Sequence, residues 1–294
     1  MDLNMPDINL TSAPQIKQLL AAHGLHPKKR LGQNFLIDRN VLDRIIDASG
    51  AGPGVNILEI GPGLGVVTRE LAERGARVVC VEADCELEHV LRDVLAGLPN
   101  VDIVVSDVLR LKLADLLKEW GGGKWVVVGN LPYYITTPII TQMLEIREHV
   151  SAIVMMVQRE VAARLQAVPH TSDYGSLSIF VQYYCRVESI LKVSRNVFFP
   201  VPDVDSEVIK LVLRDTPAAD VRDEELLFKI VRAAFGKRRK KLFNALSLSP
   251  ELKWDKDQAL NVLDKAGIDG NRRGETLSIE EFAQVANAAS DVQE

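Results

Sequence analysis

Asn130-Leu131-Pro132-Tyr133 places an amide, a backbone carbonyl, a rigid turn and an aromatic ring within four residues. The run follows Trp125-Val126-Val127-Val128, a β-branched strand pattern broken by Gly129. Such a loop can hold a flat base and accept hydrogen bonds from its exocyclic amine. The amine of adenine is a poor nucleophile because its lone pair is delocalised into the ring. Acceptors aimed at its two N–H bonds, here the Asn130 side-chain oxygen and the Leu131 carbonyl, favour a pyramidal nitrogen with a localised lone pair. Pro132 fixes the turn. Tyr133 offers a stacking face, worth roughly 1–3 kcal/mol per base. A strong general base is unnecessary, because the proton leaves readily once the nitrogen carries a new substituent and a positive charge. Taken alone, the tetrapeptide is equally an Asx-type turn closing a strand.

A second constellation decides against the plain turn. Glu59-Ile60-Gly61-Pro62-Gly63-Leu64-Gly65 closes an earlier strand pattern, and its glycines let the backbone turn sharply and approach a ligand closely. A loop of this kind after a first strand is the usual place for a nucleotide-like cofactor. Glu82, at the end of the next strand pattern, suits a carboxylate that binds ribose hydroxyls, and Asp107, after the third, suits an acceptor for an adenine amine. A strict dinucleotide frame opened by Gly61 and Gly63 requires glycine at position 66, where Val66 stands. That absence favours a cofactor without a pyrophosphate, such as S-adenosylmethionine. In-line positioning of its sulfonium methyl would then supply much of the rate.

Two further features concern the substrate. Phe198-Phe199-Pro200 puts aromatics on a Pro-bounded loop that could clamp the other face of a flipped base. Adjacent residues of an extended segment point to opposite sides, so one of the two rings faces a ligand or a neighbour while the other packs inward. Between Lys229 and Lys241 stand seven basic residues and no acidic one, ending in Lys237, Arg238, Arg239, Lys240 and Lys241. Such runs are often plain solvated surface, but five consecutive cations in a chain of net charge −5 point to phosphate contact. Lys28-Lys29-Arg30 and Arg272-Arg273 extend the patch.

The elements that must position these residues alternate. Strands are expected at Val55–Ile60, Arg77–Glu82, Val101–Ser106, Trp125–Val128 and Ala152–Gln158, separated by helices at Val66–Glu73, Glu86–Leu95, Ala114–Glu119 and Thr137–Leu144. This spacing means βαβ units and a largely parallel sheet. Ahead of them, Ser12 and Gln15 read as the capping box of a helix ending near His23, and a second helix spans Arg39–Ala48. After Gly175 a helix at Leu177–Tyr184 leads into β-rich runs at Arg186–Val193 and Glu207–Leu213, read as an antiparallel hairpin at the sheet edge. Arg214–Asp220 reads as a linker, and the remainder from Val221 is helical. Two domains follow, 1–214 and 221–294, within a length of 294 residues that supports a large core. Cys80, Cys85 and Cys185 form no CxxC pair and read as reduced thiols, and the five histidines show no metal-ligand spacing, so no metal is expected. No apolar run reaches membrane-spanning length and no signal peptide opens the chain. The expectation is a cytoplasmic monomer.

The ordered set Gly32-Gln33-Asn34-Phe35-Leu36, Glu59–Gly65, Val81-Glu82-Ala83-Asp84, Asp107, Asn130–Tyr133, Gln158-Arg159-Glu160, Tyr174–Ser178 and Val204-Asp205-Ser206 resembles the small-subunit ribosomal RNA adenine N6-dimethyltransferases. The resemblance runs from about Gly32 to Phe282. It implies an α/β class I, Rossmann-like methyltransferase domain with a small helical C-terminal domain for RNA recognition. It also implies S-adenosylmethionine as methyl donor and two adjacent adenosines near the 3′ end of 16S-type RNA as substrate. Cofactor positions carry over as Asn34, Leu36, Gly61, Glu82, Asp107 and Asn130. Asn130, Leu131 and Tyr133 match the base-holding motif, and Phe198 the second clamp. Ser194-Arg195 and Asp203 depart from the pattern around that clamp, leaving the choice between Phe198 and Phe199 open. The alternatives are a large-subunit RNA adenine methylase of the antibiotic-resistance kind and a non-catalytic ribosome-assembly factor.

Overall fold

The computed structural model describes residues 8–28, 32–131, 135–237 and 239–293. Pro132 and Tyr133 of the base-holding loop, Arg238 of the basic run, and Lys29 and Arg30 lie outside them. The chain divides into two compact units, Met1–Ala162 with Glu188–Leu213, and Ala163–Val187 with Arg214–Glu294.

In chain order the first unit contains α1 (Ala13–Ala22), β1 (Phe35–Leu36), α2 (Arg39–Ser49), β2 (Asn56–Ile60), α3 (Val66–Glu73), β3 (Arg77–Glu82), α4 (Glu88–Val94), β4 (Val101–Val105), α5 (Leu113–Glu119), β5 (Trp125–Asn130), α6 (Thr136–Glu145) and β6 (Val150–Gln158). Then follow α7 (Arg159–Gln166), α8 (Ser176–Tyr184), β7 (Cys185–Val193), β8 (Phe198–Phe199) and β9 (Ser206–Leu213). The main sheet has the order β4-β3-β2-β5-β6-β9-β7. Strands β4, β3, β2, β5 and β6 are parallel, and β9 is antiparallel to β6. The β-branched residues of β2, β3 and β6 are buried, as strands covered by helices require, while those of the edge strand β4 are half-buried.

The register places the site. Ile60 pairs with Val81 on one side and Gly129 on the other, and Glu82 pairs with Val105. The carboxyl ends of β2, β3, β4 and β5 therefore come level. β3 lies on one side of β2 and β5 on the other, so strand order reverses there and a crevice opens beyond these ends.

Several elements differ from expectation. Gln15 does not close a box with Ser12; its side-chain oxygen accepts from the Asn9 backbone N–H at 2.7 Å. The helix expected over Glu86–Leu95 is a 3₁₀ turn, Cys85–Leu87, capped by Asp84, followed by the shorter α4. β1 and β8 form a separate two-stranded ladder, with Phe35 opposite Phe199 and Leu36 opposite Phe198. Two residues per strand leave no alternation to read.

The second unit comprises α8, α9 (Glu224–Gly236), α10 (Leu242–Ser247), α11 (Lys256–Lys265) and α12 (Ile279–Gln293), with β7 and α7 each divided between the two units. It takes in α8, which falls inside residues 1–214 of the expected division. Phe180, Tyr183 and Tyr184 of α8 pack edge-on or tilted against Phe228 of α9, with ring centroids 5.2, 5.5 and 5.9 Å away. Glu224 accepts from both tyrosine hydroxyls, at 2.7 Å from Tyr184 and 3.3 Å from Tyr183. Arg214–Asp220, read as a linker, is tied to the end of α8: the N–H groups of Arg214 and Ala218 donate to the carbonyls of Tyr184 and Tyr183, each at 2.8 Å. Among the described residues no helix is long and apolar enough to cross a membrane, and no group of three or more His, Cys, Asp or Glu is placed to hold a metal.

Candidate active site

The loop after β2 is built on glycines. Gly61, Gly63 and Gly65 have φ of 71°, 59° and 81°, the left-handed region that side chains disfavour. A β-carbon at Gly61 would meet nothing nearer than the Asn130 carbonyl at 4.0 Å and would occupy the cavity that Gly61 lines. Glu82 locks this loop to the end of β3. Its carboxylate accepts from the Gly63 N–H at 3.1 Å and from the Asp84 N–H at 2.9 Å. Burial pushes the Glu82 pKa up, against the pull of those backbone donors.

Asn34, Leu36, Gly61, Glu82, Asp107 and Asn130 all line one cavity at this edge of the sheet. The set contains every cofactor position named from the sequence. Asp107 follows β4 and caps the next turn, accepting from the Leu109 N–H at 3.0 Å. Asn130 ends β5, and its Nδ2 donates to the Asn34 carbonyl at 3.1 Å. Leu131 is buried. A β-carbon at Gly129 would meet the Leu131 side chain at 2.8 Å and the Ile60 carbonyl at 3.0 Å, so the glycine that breaks the strand pattern is required by packing.

Other lining residues were not singled out by the sequence. Leu10 and Ile16, from the segment before the sheet, contribute apolar wall. Glu59, named only as part of the glycine loop, is 3% exposed, and its Oε2 has no hydrogen-bond partner. Burial pushes its pKa up to about 8, and the charge of Glu82 adds to the rise. A buried carboxyl with one unpartnered oxygen on the cavity wall suits a ligand that carries a cationic group. Burial also raises the thiols of Cys80 and Cys185, the latter to about 12, so neither is a nucleophile at neutral pH.

The aromatic pair divides as extended geometry requires. Phe198 is 2% exposed within the cluster that includes Leu36 and Val193. Phe199 is half-buried, with the Lys17 ammonium 5.0 Å from its ring centroid. The ladder sets this direction, because Leu36 lies opposite Phe198 and carries it inward. Neither ring lines the cavity.

In the second unit Lys237, Arg239, Lys240 and Lys241 of the basic run lie between α9 and α10. All four are exposed. Lys241 donates to the Asn271 side chain at 2.8 Å, while Lys229 and Arg232 are paired with Glu225 and Glu251. Arg272 and Arg273 do not extend a free patch. Arg272 is held by Glu281, with one contact at 2.9 Å, and Arg273 lies 3.9 Å from Glu275.

The model of the family described as ribosomal RNA adenine dimethylase matches residues 24–288. The ribosomal RNA small subunit methyltransferase A of Alkaliphilus oremlandii is 47% identical over 95% of this chain and 97% of its own length. The protein of the same name from Clostridioides difficile is 46% identical over 95% and 96%. Among solved structures, a dimethyladenosine transferase from Plasmodium falciparum superposes with TM-score 0.72 at 24% identity, covering 85% of this chain and 95% of that one. The 23S rRNA methyltransferase ErmE does so with TM-score 0.66 at 30% identity, covering 87% and 100%.

Proposed function

This chain belongs to the ribosomal RNA adenine dimethylase family, and from that premise we propose that it uses S-adenosylmethionine to dimethylate the N6 amines of two adjacent adenosines near the 3′ end of 16S-type RNA. The observation that carries the reading is the shared cavity: the glycine loop, Glu82, Asp107 and Asn130 all line it. Its residues fit the cofactor. Glu82 is oriented by two backbone donors for ribose hydroxyls, Asp107 offers an acceptor for an adenine edge, and the buried Glu59 carboxyl, with one unpartnered oxygen, suits a cationic end. When bound, the cofactor supplies an electrophilic methyl on a sulfonium.

The chain's own contribution is to prepare the nucleophile. Asn130 Oδ1 and the Leu131 carbonyl accept from the two N–H bonds of the target amine, which withdraws its lone pair from the ring. Tyr133 supplies the stacking face. The alkylated nitrogen is cationic and gives up its proton readily, so this step needs no strong general base. Two domains divide the labour, with the sheet unit carrying chemistry and the helical C-terminal unit contributing RNA contacts. We assign those contacts to Lys237, Arg238, Arg239, Lys240 and Lys241, and the working state to a cytoplasmic monomer.

Tritiated methyl transfer to undermethylated 30S particles is the direct test. The expected result is label in N6-dimethyladenosine near the 3′ end of the small-subunit RNA. Label in large-subunit RNA would instead support the ErmE-like reading, which the lower identity to that protein disfavours. No label in adenosine of either RNA would leave an assembly factor. Replacing Lys237, Arg239 and Lys240 together by alanine should weaken RNA binding. It should also flatten the dependence of log affinity on log salt by about 0.7–0.9 per lost phosphate contact. Filter binding across a salt series measures both, and an unchanged slope would reduce the run to solvated surface.

A further inference from the structure

Asp84 is a buried carboxylate two residues beyond Glu82 and next to Ala83 of the cavity wall, with no part in the chemistry above. Its side chain is 5% exposed. Oδ1 accepts from the Lys28 ammonium at 2.8 Å, and Oδ2 accepts from Gln33 Nε2 at 2.8 Å. Lys28 also reaches Glu86 at 2.9 Å. Gln33 is held at both ends, because its Oε1 accepts from the Lys28 backbone N–H at 2.8 Å. Burial alone would raise the Asp84 pKa. The bonds from Lys28 and Gln33 more than offset it and hold the group below its usual range. The carboxylate is therefore charged at neutral pH, and both its oxygens are acceptors.

Gln33 immediately precedes Asn34, whose carbonyl takes the bond from Asn130 Nδ2. That carbonyl can only accept, so the Asn130 atom 3.1 Å from it must be the amide nitrogen. With the nitrogen committed, Oδ1 is the atom the amide can offer to a target amine. An amide turned the other way would present N–H groups to N–H groups and oppose the reaction.

We infer that Asp84 and Gln33 are positioning residues for methyl transfer: by anchoring Gln33, the Asp84 carboxylate sets the Asn34 carbonyl that orients the Asn130 amide. The inference rests on the reading of Asn130 as acceptor for the adenine amine. Because Gln33 and Asn34 also line the cavity, transfer is compared at saturating S-adenosylmethionine, which removes any change in cofactor affinity from the comparison.

The test is an exchange of polarity. In D84N an amide nitrogen can face Gln33 Nε2, donor against donor. In Q33E two carboxylates face each other. In the double variant Q33E/D84N, the carboxylate introduced at position 33 accepts both from the Lys28 N–H and from the amide introduced at position 84. The oxygen of that amide still accepts from the Lys28 ammonium. Single-turnover transfer to undermethylated 30S particles at saturating S-adenosylmethionine should fall about tenfold or more in each single variant, the scale expected when a reacting group is misplaced by a fraction of an ångström to an ångström. The double variant should return to within about threefold of the parent. Single variants that transfer at the parent rate would overturn the inference. So would a double variant as slow as the slower single, or a defect that vanishes at saturating cofactor. The ¹⁵N-resolved side-chain amide signals of Asn130 in cofactor-free protein give a readout independent of catalysis. Parent and double variant should show one fixed pair of N–H resonances, and the singles an averaged pair. If the parent itself transfers no methyl to adenosine, the functional reading falls while these signals still decide the positioning.

Discussion

Replacing Asn130 by alanine is expected to slow transfer by about a hundredfold or more at saturating S-adenosylmethionine, the scale seen when one preorganised hydrogen-bonding group is removed from a reacting centre. Saturation removes any contribution from weaker cofactor binding, which matters because Asn130 also lines the cavity. The loss is electronic and geometric together. Without Oδ1 one N–H of the target amine goes unpaired in a desolvated site, and the lone pair returns to the ring. Asn130→Asp sharpens the point. It keeps an oxygen for the amine but places a second oxygen against the Asn34 carbonyl, where the amide nitrogen now donates. Two acceptors at hydrogen-bond distance repel, so the aspartate variant should recover little of the lost rate. Rapid-quench single-turnover measurements separate the cases. A parent-like rate in Asn130→Ala would remove this residue from the mechanism, and a parent-like rate in Asn130→Asp would show that the bond to Asn34 does not orient it.

The positions that could be read from the sequence share one property: each is fixed by the end of a strand in a parallel sheet. Gly61, Glu82, Asp107 and Asn130 stand beyond β-branched runs whose length and spacing are visible in the chain. The crossover geometry then brings those ends level. Features that the sequence does not display depend on partners far away in it. Phe198 turns inward because the two-residue β8 pairs with β1, and no pattern in Phe198-Phe199 reveals Leu36 as its neighbour. Arg272 and Arg273 look like an extension of the basic run until Glu281 and Glu275 are placed beside them. The membership of α8 in the second unit rests on ring contacts to Phe228 and on Glu224 beneath two tyrosines, none of which alters the helical periodicity of α8. Asp84 appeared only as a letter of a motif, because its partner Lys28 stands in a basic run and its partner Gln33 in another motif.

Glu59 carries the second large effect, and its sign follows from linkage. The native carboxyl has its pKa raised to about 8 by burial, with the Glu82 charge adding, whereas in the unfolded chain it titrates near the ordinary glutamate value. Between those two values the native state binds more protons than the unfolded state, so this group makes stability fall as pH rises. Its favourable contribution is complete below the unfolded value and is lost by the time pH passes about 8. Glu59→Gln keeps the shape and removes the titration. In cofactor-free protein the glutamine variant should therefore gain on the parent as pH climbs from about 5 to 8, reaching a few kcal/mol and then levelling. Urea unfolding of both proteins at a series of pH values measures the difference, in which titrating groups other than Glu59 and its electrostatic neighbours Glu82 and Cys80 cancel. Curves that stay parallel would mean that Glu59 titrates normally and is solvated. The same charge logic ties stability to function. A cationic group bound beside Glu59 would draw it toward its ionised form, so cofactor binding near neutral pH should release a proton in the parent and release less in Glu59→Gln. Calorimetry in buffers of different ionisation enthalpy measures that release. A carboxyl that destabilises the empty site above neutral pH is thus explained by the ligand that would ionise it.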